Sequence, residues 1–524
     1  MSAAYPAPAA LWPLLSAAEA QAAREDWEGA IAQYAKALQQ VPGDAYTHVQ
    51  LSYVNSLAGH YRLARRHALE ASRGGASDLA LLKELLPRLR TFNEIPAMLT
   101  CIERLLPMSR MPIPLLLAVA AQLSYANLPD RAIAFLDEAR RADPDFPPTL
   151  LSRGQVLTYL GRFDEAAQDL ARALRRAPEI AQGYWLQAWV GRQTAQHNHV
   201  DAIRRELARP GRRPEDMALL GFALHKELDD LGDHAGAWQA LLLACRAKRS
   251  RLAYDTASTV ALFDALARFE PAGASVQPVQ DEAARRPVFV VGMHRSGTTL
   301  LEQLLAGHAD VQGLGELYDF TGAMRHATDH HCKGVVDATL VARAAGADLA
   351  DAGRHYLDGL AWRLGPQRYF VDKLPSNFLN IGFIAHALPQ AKILHMVRDP
   401  VETCFSNLRE LFSEANAYSY DPIELADYHR LHDRLMARWK QRFPGRVLEV
   451  DYARLTGDTE AQMREVAAFC GLDFQPSMLV PQAGGAVVTA SAVQVRAGIQ
   501  KRSQPKWAPY ERWLQPMIER LHAP

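Results

Sequence analysis

Small and apolar positions recur with a single period over the first 180 residues. Ala30, Ala64, Met98, Ala132 and Ala166 stand 34 residues apart, and Ala37, Ala71, Leu105, Ala139 and Ala173 follow in the same step. Within a unit, positions i, i+4 and i+7 (Ala30, Tyr34, Ala37; Ala166, Leu170, Ala173) share one helical face, with small residues where a neighbouring helix must come close. Pro42, Pro144 and Pro178 end the second helix of their units in register. The third unit, Pro87 to Pro112, keeps its apolar residues but loses the alanines, and beyond Ala181 the register slips to two further units at Ala202 and Ala237. A helix and a linker follow between residues 251 and 285. From Pro287 the period changes: the β-branched runs PVFVVG, ADVQGLG, RYFVDK, AKILHMV and RVLEVDY alternate with amphipathic stretches, which predicts a parallel sheet covered on both faces.

The stretches EDWEGAIAQYAKALQQVPGD and GRFDEAAQDLARALRRAPEI, with their period, resemble the tetratricopeptide repeat. The expected fold is therefore an all-α tetratricopeptide solenoid of about seven units over residues 1–250, a connecting segment 251–285, and a P-loop-like α/β domain with a central parallel sheet over 286–524. Such arrays present a groove that holds a partner peptide, or serve as a spacer or a homodimer surface.

Composition narrows the class. Of 524 residues, 49% are hydrophobic and 22% charged, which excludes a disordered chain. Lys plus Arg and Asp plus Glu both number 58, so the surface as a whole is not built to track nucleic acid. Five scattered cysteines form no C-x-x-C unit and suggest neither a disulfide framework nor a zinc site. The first residues lack a positive n-region, and the longest apolar stretch, Ile113 to Leu123, is about half a membrane span. A soluble, cytoplasmic chain is the expectation.

Candidate chemistry concentrates in PVFVVGMHRSGTTLLEQLL, a strand, a glycine-bounded turn and a helix. Gly292 and Gly297 permit a tight loop whose N–H groups and helix N-terminus cradle phosphate, Arg295 adds a cation, and Ser296, Thr298 and Thr299 add hydroxyls. The glycine spacing copies that of nucleoside triphosphatases, but Thr298 stands where their lysine belongs, which weakens a kinase or triphosphatase reading. In AKILHMVRDPVETCFSNL, Arg398 ends a buried strand and Ser406 lies about two turns into the next helix, so both can converge on one phosphate. Two separate phosphate sites suit a nucleotide phosphorylated at both ends.

Residues Arg286 to Tyr510 resemble the sulfotransferases that use 3'-phosphoadenosine-5'-phosphosulfate (PAPS), and among them the protein-tyrosine sulfotransferases and bacterial chains that fuse this domain to tetratricopeptide repeats. The resemblance places the phosphosulfate on GMHRSGTTL (Arg295, Ser296, Gly297, Thr298, Thr299), the 3'-phosphate on Arg398 and Ser406, and the adenosine against Tyr452 in LEVDYARL. It puts the catalytic glutamate at Glu316, in GHADVQGLGE, and a substrate and phosphosulfate contact at Lys373, in DKLPSN. It carries Ser491 and Lys506 onto the loop covering the nucleotide, with Gln494 and Arg496 beside them. Glu316, Arg295 and Lys373 are thus the implied catalytic residues, PAPS the co-substrate, and no metal is implied. The secretory disulfides of the tyrosine enzymes are missing, and their acceptor contacts are not recognisable in LYDFTGAMRHATDHHCKG. Peptide, saccharide, lipid and small-molecule acceptors stay open.

Other candidates point elsewhere. Adjacent His330, His331 and Cys332 do not aim at one metal. His429 and His432, at i and i+3 on a charged helix, read as a solvated face, and His294 and His308 flank the loop with packing or substrate-side roles open. The rival readings are a P-loop kinase or triphosphatase, and a repeat scaffold with a degenerate nucleotide domain.

Overall fold

The computed structural model describes residues 8–74, 79–105, 107–272, 285–332, 334–482, 487–489, 493, 496, 498 and 504–523. The chain forms two compact units, one built from the helices up to Ala142 together with Glu270–Ala274 and Tyr318–Arg363, the other from the rest.

In the first unit, helices Trp12–Ala22, Trp27–Gln40, Ala45–Ala58, Tyr61–Arg73, Leu79–Thr91, Ile95–Glu103, Ile113–Tyr125 and Pro129–Ala142 form the predicted pairs. Ala30, Ala64, Met98 and Ala132 are completely buried, as the 34-residue period requires of positions where two helices meet. The turn inside each pair carries a second, silent repeat. Glu25, Gly59, Asn93 and Asn127 all adopt positive φ (61°, 87°, 58° and 58°), and Gly161 continues the series in the second unit at 77°. A left-handed residue stops the first helix and starts the second. For Glu25 this conformation costs about 1 kcal/mol.

Residues 318–363 form three helices, Asp319–Thr328, Ala338–Ala344 and Leu349–Leu360, and pack on the repeats of the first unit. Arg62 donates to the carbonyls of His326 and Ala327 at 2.8 Å each, and its own N–H donates to Asp329 at 2.7 Å. A repeat arginine thereby caps the C-terminal end of helix Asp319–Thr328, where unsatisfied carbonyls collect partial negative charge. Asn93, one of the left-handed residues, donates to the Tyr318 carbonyl at 2.9 Å. The segment whose sequence was unreadable as acceptor contacts is thus a helical insertion held by repeat side chains.

The second unit contains the helices Pro147–Leu160, Phe163–Arg176, Ala181–Val190, Val200–Leu207, Pro214–Asp230, His234–Arg249 and Thr256–Arg268, followed by a five-stranded sheet. The strands are β1 (Arg286–Gly292), β2 (Val311–Gly313), β3 (Tyr369–Lys373), β4 (Lys392–Val397) and β5 (Val447–Asp451). All pairs are parallel, in the order β2-β3-β1-β4-β5. β1 lies at the centre with every residue after Arg286 buried, which explains its unbroken hydrophobic run. Helices Thr298–Leu305 and Thr459–Cys470 cover one face through a cluster that includes Val288, Val290, Leu301, Leu304, Met463 and Val466. The carboxyl ends of β1, β2, β3 and β4 consequently bring their loops to one edge, the place where ligands bind in such sheets.

The reading of His429 and His432 as a solvated face is wrong. Both are buried on helix Pro422–Arg442, His432 packs edge-on against Phe378 with ring centroids 4.7 Å apart, and both rings bond Asp433 at 3.1 and 2.9 Å. This helix is packed by neighbours on several sides, including Thr256–Arg268 and Glu511–His522, so its charged composition misrepresents its surroundings.

Candidate functional site

β1 ends in Gly292, and the chain turns through Met293–Gly297 into helix Thr298–Leu305. The turn needs its glycines. Gly292 has φ 149°, and a Cβ there would lie 2.7 Å from the Met396 carbonyl oxygen. Gly297 has φ 112°, and a Cβ there would lie 2.5 Å from the Tyr452 ring. Between them Arg295 itself takes φ 65°, a strained conformation for a non-glycine residue, and strain of this kind concentrates at ligand sites. Ser296, Thr298 and Thr299 are buried, and the Ser296 hydroxyl has no hydrogen-bond partner. A shaped loop, an orphaned hydroxyl and a helix N-terminus together fit an anion.

The second predicted pair converges on the same loop. Arg398 follows β4 directly and donates to the Arg295 carbonyl at 3.1 Å. Ser406, on helix Pro400–Leu408, lies 3.4 Å from Arg295 Nε. Tyr452 opens the helix after β5, and the Arg398 guanidinium sits 4.5 Å from its ring centroid. Lys506 approaches through its backbone N–H, which donates at 3.0 Å to Glu402, the carboxylate that also holds Arg398 at 2.8 Å. Ser491 and Gln494 lie outside the described residues. Arg496 donates to the Tyr159 carbonyl at 3.0 Å.

The implied acid-base residues meet across β2 and β3. Pairing continues past β2, with Leu314 N–H donating to Val371 and Lys373 N–H donating to Gly315, so Glu316 arrives opposite the end of β3. Lys373 Nζ lies 2.7 Å from Glu316 Oε1; the lysine side chain is 0% exposed and the glutamate side chain 29%. The glutamate therefore keeps an open flank while its cation is enclosed. Lys373 is a buried lysine held by a carboxylate rather than a strand-end lysine in solvent.

Three residues complete the arrangement that sequence reasoning missed or left unassigned. Glu302, on the helix after the loop, is buried and accepts the Gly315 N–H at 2.6 Å, fixing the turn that delivers Glu316. Burial raises its pKa above the usual carboxylate range, with Lys373 opposing. Glu410 is buried 3.8 Å from Arg295, and burial raises its pKa too, against the pull of Arg295 and Arg409. His294, left open in the sequence, packs edge-on against Phe412 at 5.3 Å, and burial lowers its pKa to about 4, with Glu316 opposing and Lys373 and Arg295 reinforcing. It is a neutral imidazole near pH 7, beside the Glu316–Lys373 pair. Glu302 had a signal in sequence, a lone acid in the apolar run TTLLEQLL; Glu410 had none.

Other candidates are occupied elsewhere. His308 is buried and its Nδ1 accepts the Asp310 N–H at 3.0 Å. His330 pairs with Asp337 at 2.8 Å, and His331 packs against Tyr61 and Phe92. All five cysteines are buried without a disulfide, and among the described residues no three His, Cys, Asp or Glu side chains gather as a metal site. No helix among them is long and apolar enough to cross a membrane.

Comparison with known proteins assigns this loop and its flanking strands to a family. Residues 287–476 match the sulfotransferase family, a span that begins one residue into β1 and contains the turn, Glu316, Lys373, Arg398, Ser406 and Tyr452. The C-terminal region is a sulfotransferase-family domain. The chain is also similar to an uncharacterized protein of Aquifex aeolicus (strain VF5), 29% identical over 400 residues covering 74% of this chain and 52% of that protein. The chain thus spans about half the length of the curated relative it matches. Among solved structures, the sulfotransferase domain of the Synechococcus PCC 7002 olefin synthase is 19% identical, over 47% of this chain and 98% of that one, at a TM-score of 0.29. YrrB, a tetratricopeptide repeat protein with an unusual peptide-binding site, is 18% identical over 44% of this chain and 90% of its own, at a TM-score of 0.22.

Proposed function

We propose that the chain transfers a sulfuryl group from PAPS to a hydroxyl acceptor, releasing 3',5'-phosphoadenosine, and that the repeats serve to bring the acceptor or a partner. The observation that carries this reading is the convergence of two cationic positions on one glycine-bounded loop, with the Glu316–Lys373 pair next to it. Arg295, Ser296, Gly297, Thr298 and Thr299 would hold the phosphosulfate end. Arg398, Ser406, Tyr452 and Lys506, with Ser491, would hold the adenosine and its 3'-phosphate.

In this chemistry the bond between sulfur and the bridging oxygen of the 5'-phosphate breaks, a bond from the acceptor oxygen to sulfur forms, and negative charge grows on the departing phosphate. Fixed cations stabilise that charge without reorganising. Arg295 suits this role because its strained backbone and its contacts with Glu410 and Ser406 hold the guanidinium in one place. Lys373, enclosed and immobile, adds a second cation. The acceptor proton passes to Glu316 Oε, the carboxylate with an exposed flank. His294, held neutral by burial, adds no positive charge that would compete with Lys373 for Glu316. No resident metal is required.

A panel of labelled PAPS with phenols, sugars and tyrosine peptides tests the assignment. The wild-type chain should label at least one acceptor class, and Glu316→Gln should bind 3',5'-phosphoadenosine normally yet label none. Undiminished turnover by that variant would remove Glu316 as the base.

A further inference from the structure

Asn407 follows Ser406 on helix Pro400–Leu408, one residue past the position expected to meet the 3'-phosphate. It is completely buried. Its Nδ2 donates to the His294 carbonyl at 2.6 Å and to the Thr403 carbonyl, one turn back on its own helix, at 2.8 Å. Its Oδ1 is buried and has no hydrogen-bond partner. A buried amide with an orphaned oxygen costs stability that an apolar side chain of similar volume would not, so packing alone does not explain it.

We propose that Asn407 is a positioning residue of the transfer loop: its amide sets the peptide between His294 and Arg295, and through it the grip on the 5' end of the nucleotide. This rests on the nucleotide reading above. A trans peptide is rigid and planar, with its carbonyl and its N–H on opposite sides. Once the His294 oxygen is pinned to Asn407, the Arg295 N–H is aimed the other way, and Arg295 enters its φ of 65° from a fixed plane. The next carbonyl is pinned as well, since Arg398 donates to the Arg295 oxygen at 3.1 Å. Two consecutive loop carbonyls are therefore tied to donors from the single segment that runs from Arg398 to Asn407. Carbonyl oxygens repel an anion, and a loop that cradles one must keep them occupied while its N–H groups converge.

The two donors differ in what else is asked of them. The Arg398 guanidinium would also serve the 3'-phosphate, so a bound nucleotide competes for the group that holds the Arg295 carbonyl. Asn407 is neutral and enclosed, and its bond to His294 is outside that competition. It keeps the loop in shape whichever partner Arg398 takes. Because Ser406 and Asn407 are adjacent, the helical turn that would meet the 3'-phosphate also sets the loop for the 5' end, which ties recognition of the two ends together.

The test is calorimetric titration of the full-length chain with 3',5'-phosphoadenosine and with adenosine 3'-phosphate. Only the first ligand carries a 5'-phosphate, so the ratio of the two affinities reports on the loop. Asn407→Leu, which keeps side-chain volume and removes the amide, should cut that ratio by about tenfold and leave adenosine 3'-phosphate affinity within about twofold of wild type. Asn407→Ala should do the same if the leucine variant folds poorly. Thr403→Val is the control: Thr403 is buried on the same helix and its hydroxyl has no partner, so the change alters the same packing without removing a bond to the loop, and the ratio should stay as in wild type. An unchanged ratio in the Asn407 variants, an equal loss of both ligands, or the same fall in Thr403→Val would each overturn the assignment. A wild-type chain that binds neither ligand would instead overturn the sulfotransferase reading on which it stands.

Discussion

Lys373→Met isolates the electrostatics of the candidate site. The lysine is completely buried and sits 2.7 Å from Glu316, and it also lowers the pKa of Glu302, a buried acid whose value burial raises. Removing it leaves Glu302, still held by the Gly315 N–H, as a buried carboxylate without that lysine and beside a second acid. Breaking a buried pair costs 3–5 kcal/mol in general; because the Glu316 side chain is 29% exposed and partly rescued by water, about 3 kcal/mol is the reasonable figure. For a cooperative unit of this size that corresponds to a fall in Tm of roughly 4 °C. The sign with pH is fixed. In the variant, the folded-state pKa of Glu302 rises further above its unfolded value, so the folded state binds more protons than the unfolded chain. Its stability then falls as pH rises through that raised value and recovers as pH is lowered. The gap to wild type, read by thermal unfolding at pH 7.5 and pH 5, should narrow at the lower pH, and adding Glu302→Gln should restore most of the loss at pH 7.5. A gap under 1 kcal/mol, or one that is the same at both pH values, would refute the claim that this lysine balances two acids.

Gly297→Ala should abolish stabilisation by 3',5'-phosphoadenosine in thermal shift, because φ 112° and a Cβ 2.5 Å from the Tyr452 ring force the loop or the ring to move; retained binding would show that the loop tolerates the shift. Arg62→Ala should destabilise the first unit by about 1–2 kcal/mol and increase hydrogen exchange in helix Asp319–Thr328, since three hydrogen bonds that anchor that helix end involve Arg62, two of them made by its side chain. Glu25→Gly should raise stability by up to about 1 kcal/mol by relieving positive φ, and a loss in urea unfolding would contradict the turn repeat. Burial lowers the pKa of His225 to about 3 and of His432 to about 4, so the unfolded chain binds more protons below its ordinary histidine range; Tm should decline as pH drops from about 6.5 toward 4, and a flat profile would contradict it.

Much of the architecture was legible because it rests on spacing. The 34-residue recurrence marks where helices touch, and those alanines are completely buried. The inner strands β1, β3 and β4 were visible as apolar runs because the middle of a parallel sheet is buried on both faces. The left-handed turn repeat was hidden since Glu, Gly and Asn all occupy it, and backbone conformation rather than side-chain type is what recurs. At the site, the loop, Arg398 and Ser406 carried signals at fixed offsets within single strand-to-helix turns. Glu302 was marked only as a lone acid in an apolar run, its partner being the Gly315 N–H on a separate loop, and Glu410 acts on Arg295, more than 100 residues earlier, so no local pattern could mark it. The burial of His429 and His432 escaped for a related reason: a helix surrounded on several sides keeps polar residues that bond one another, and its sequence reads as if it faced water. The insertion 318–363 was unreadable because its partners are repeat side chains more than 200 residues earlier.

The central claim, a site for a nucleotide phosphorylated at both ends, is tested most directly by calorimetric titration of the full chain in EDTA. The account predicts that 3',5'-phosphoadenosine binds without Mg²⁺, that adenosine 5'-phosphate binds at least tenfold more weakly, and that Arg295→Ala and Arg398→Ala each abolish the difference. Tight binding of ATP with Mg²⁺, and none of 3',5'-phosphoadenosine, would contradict it.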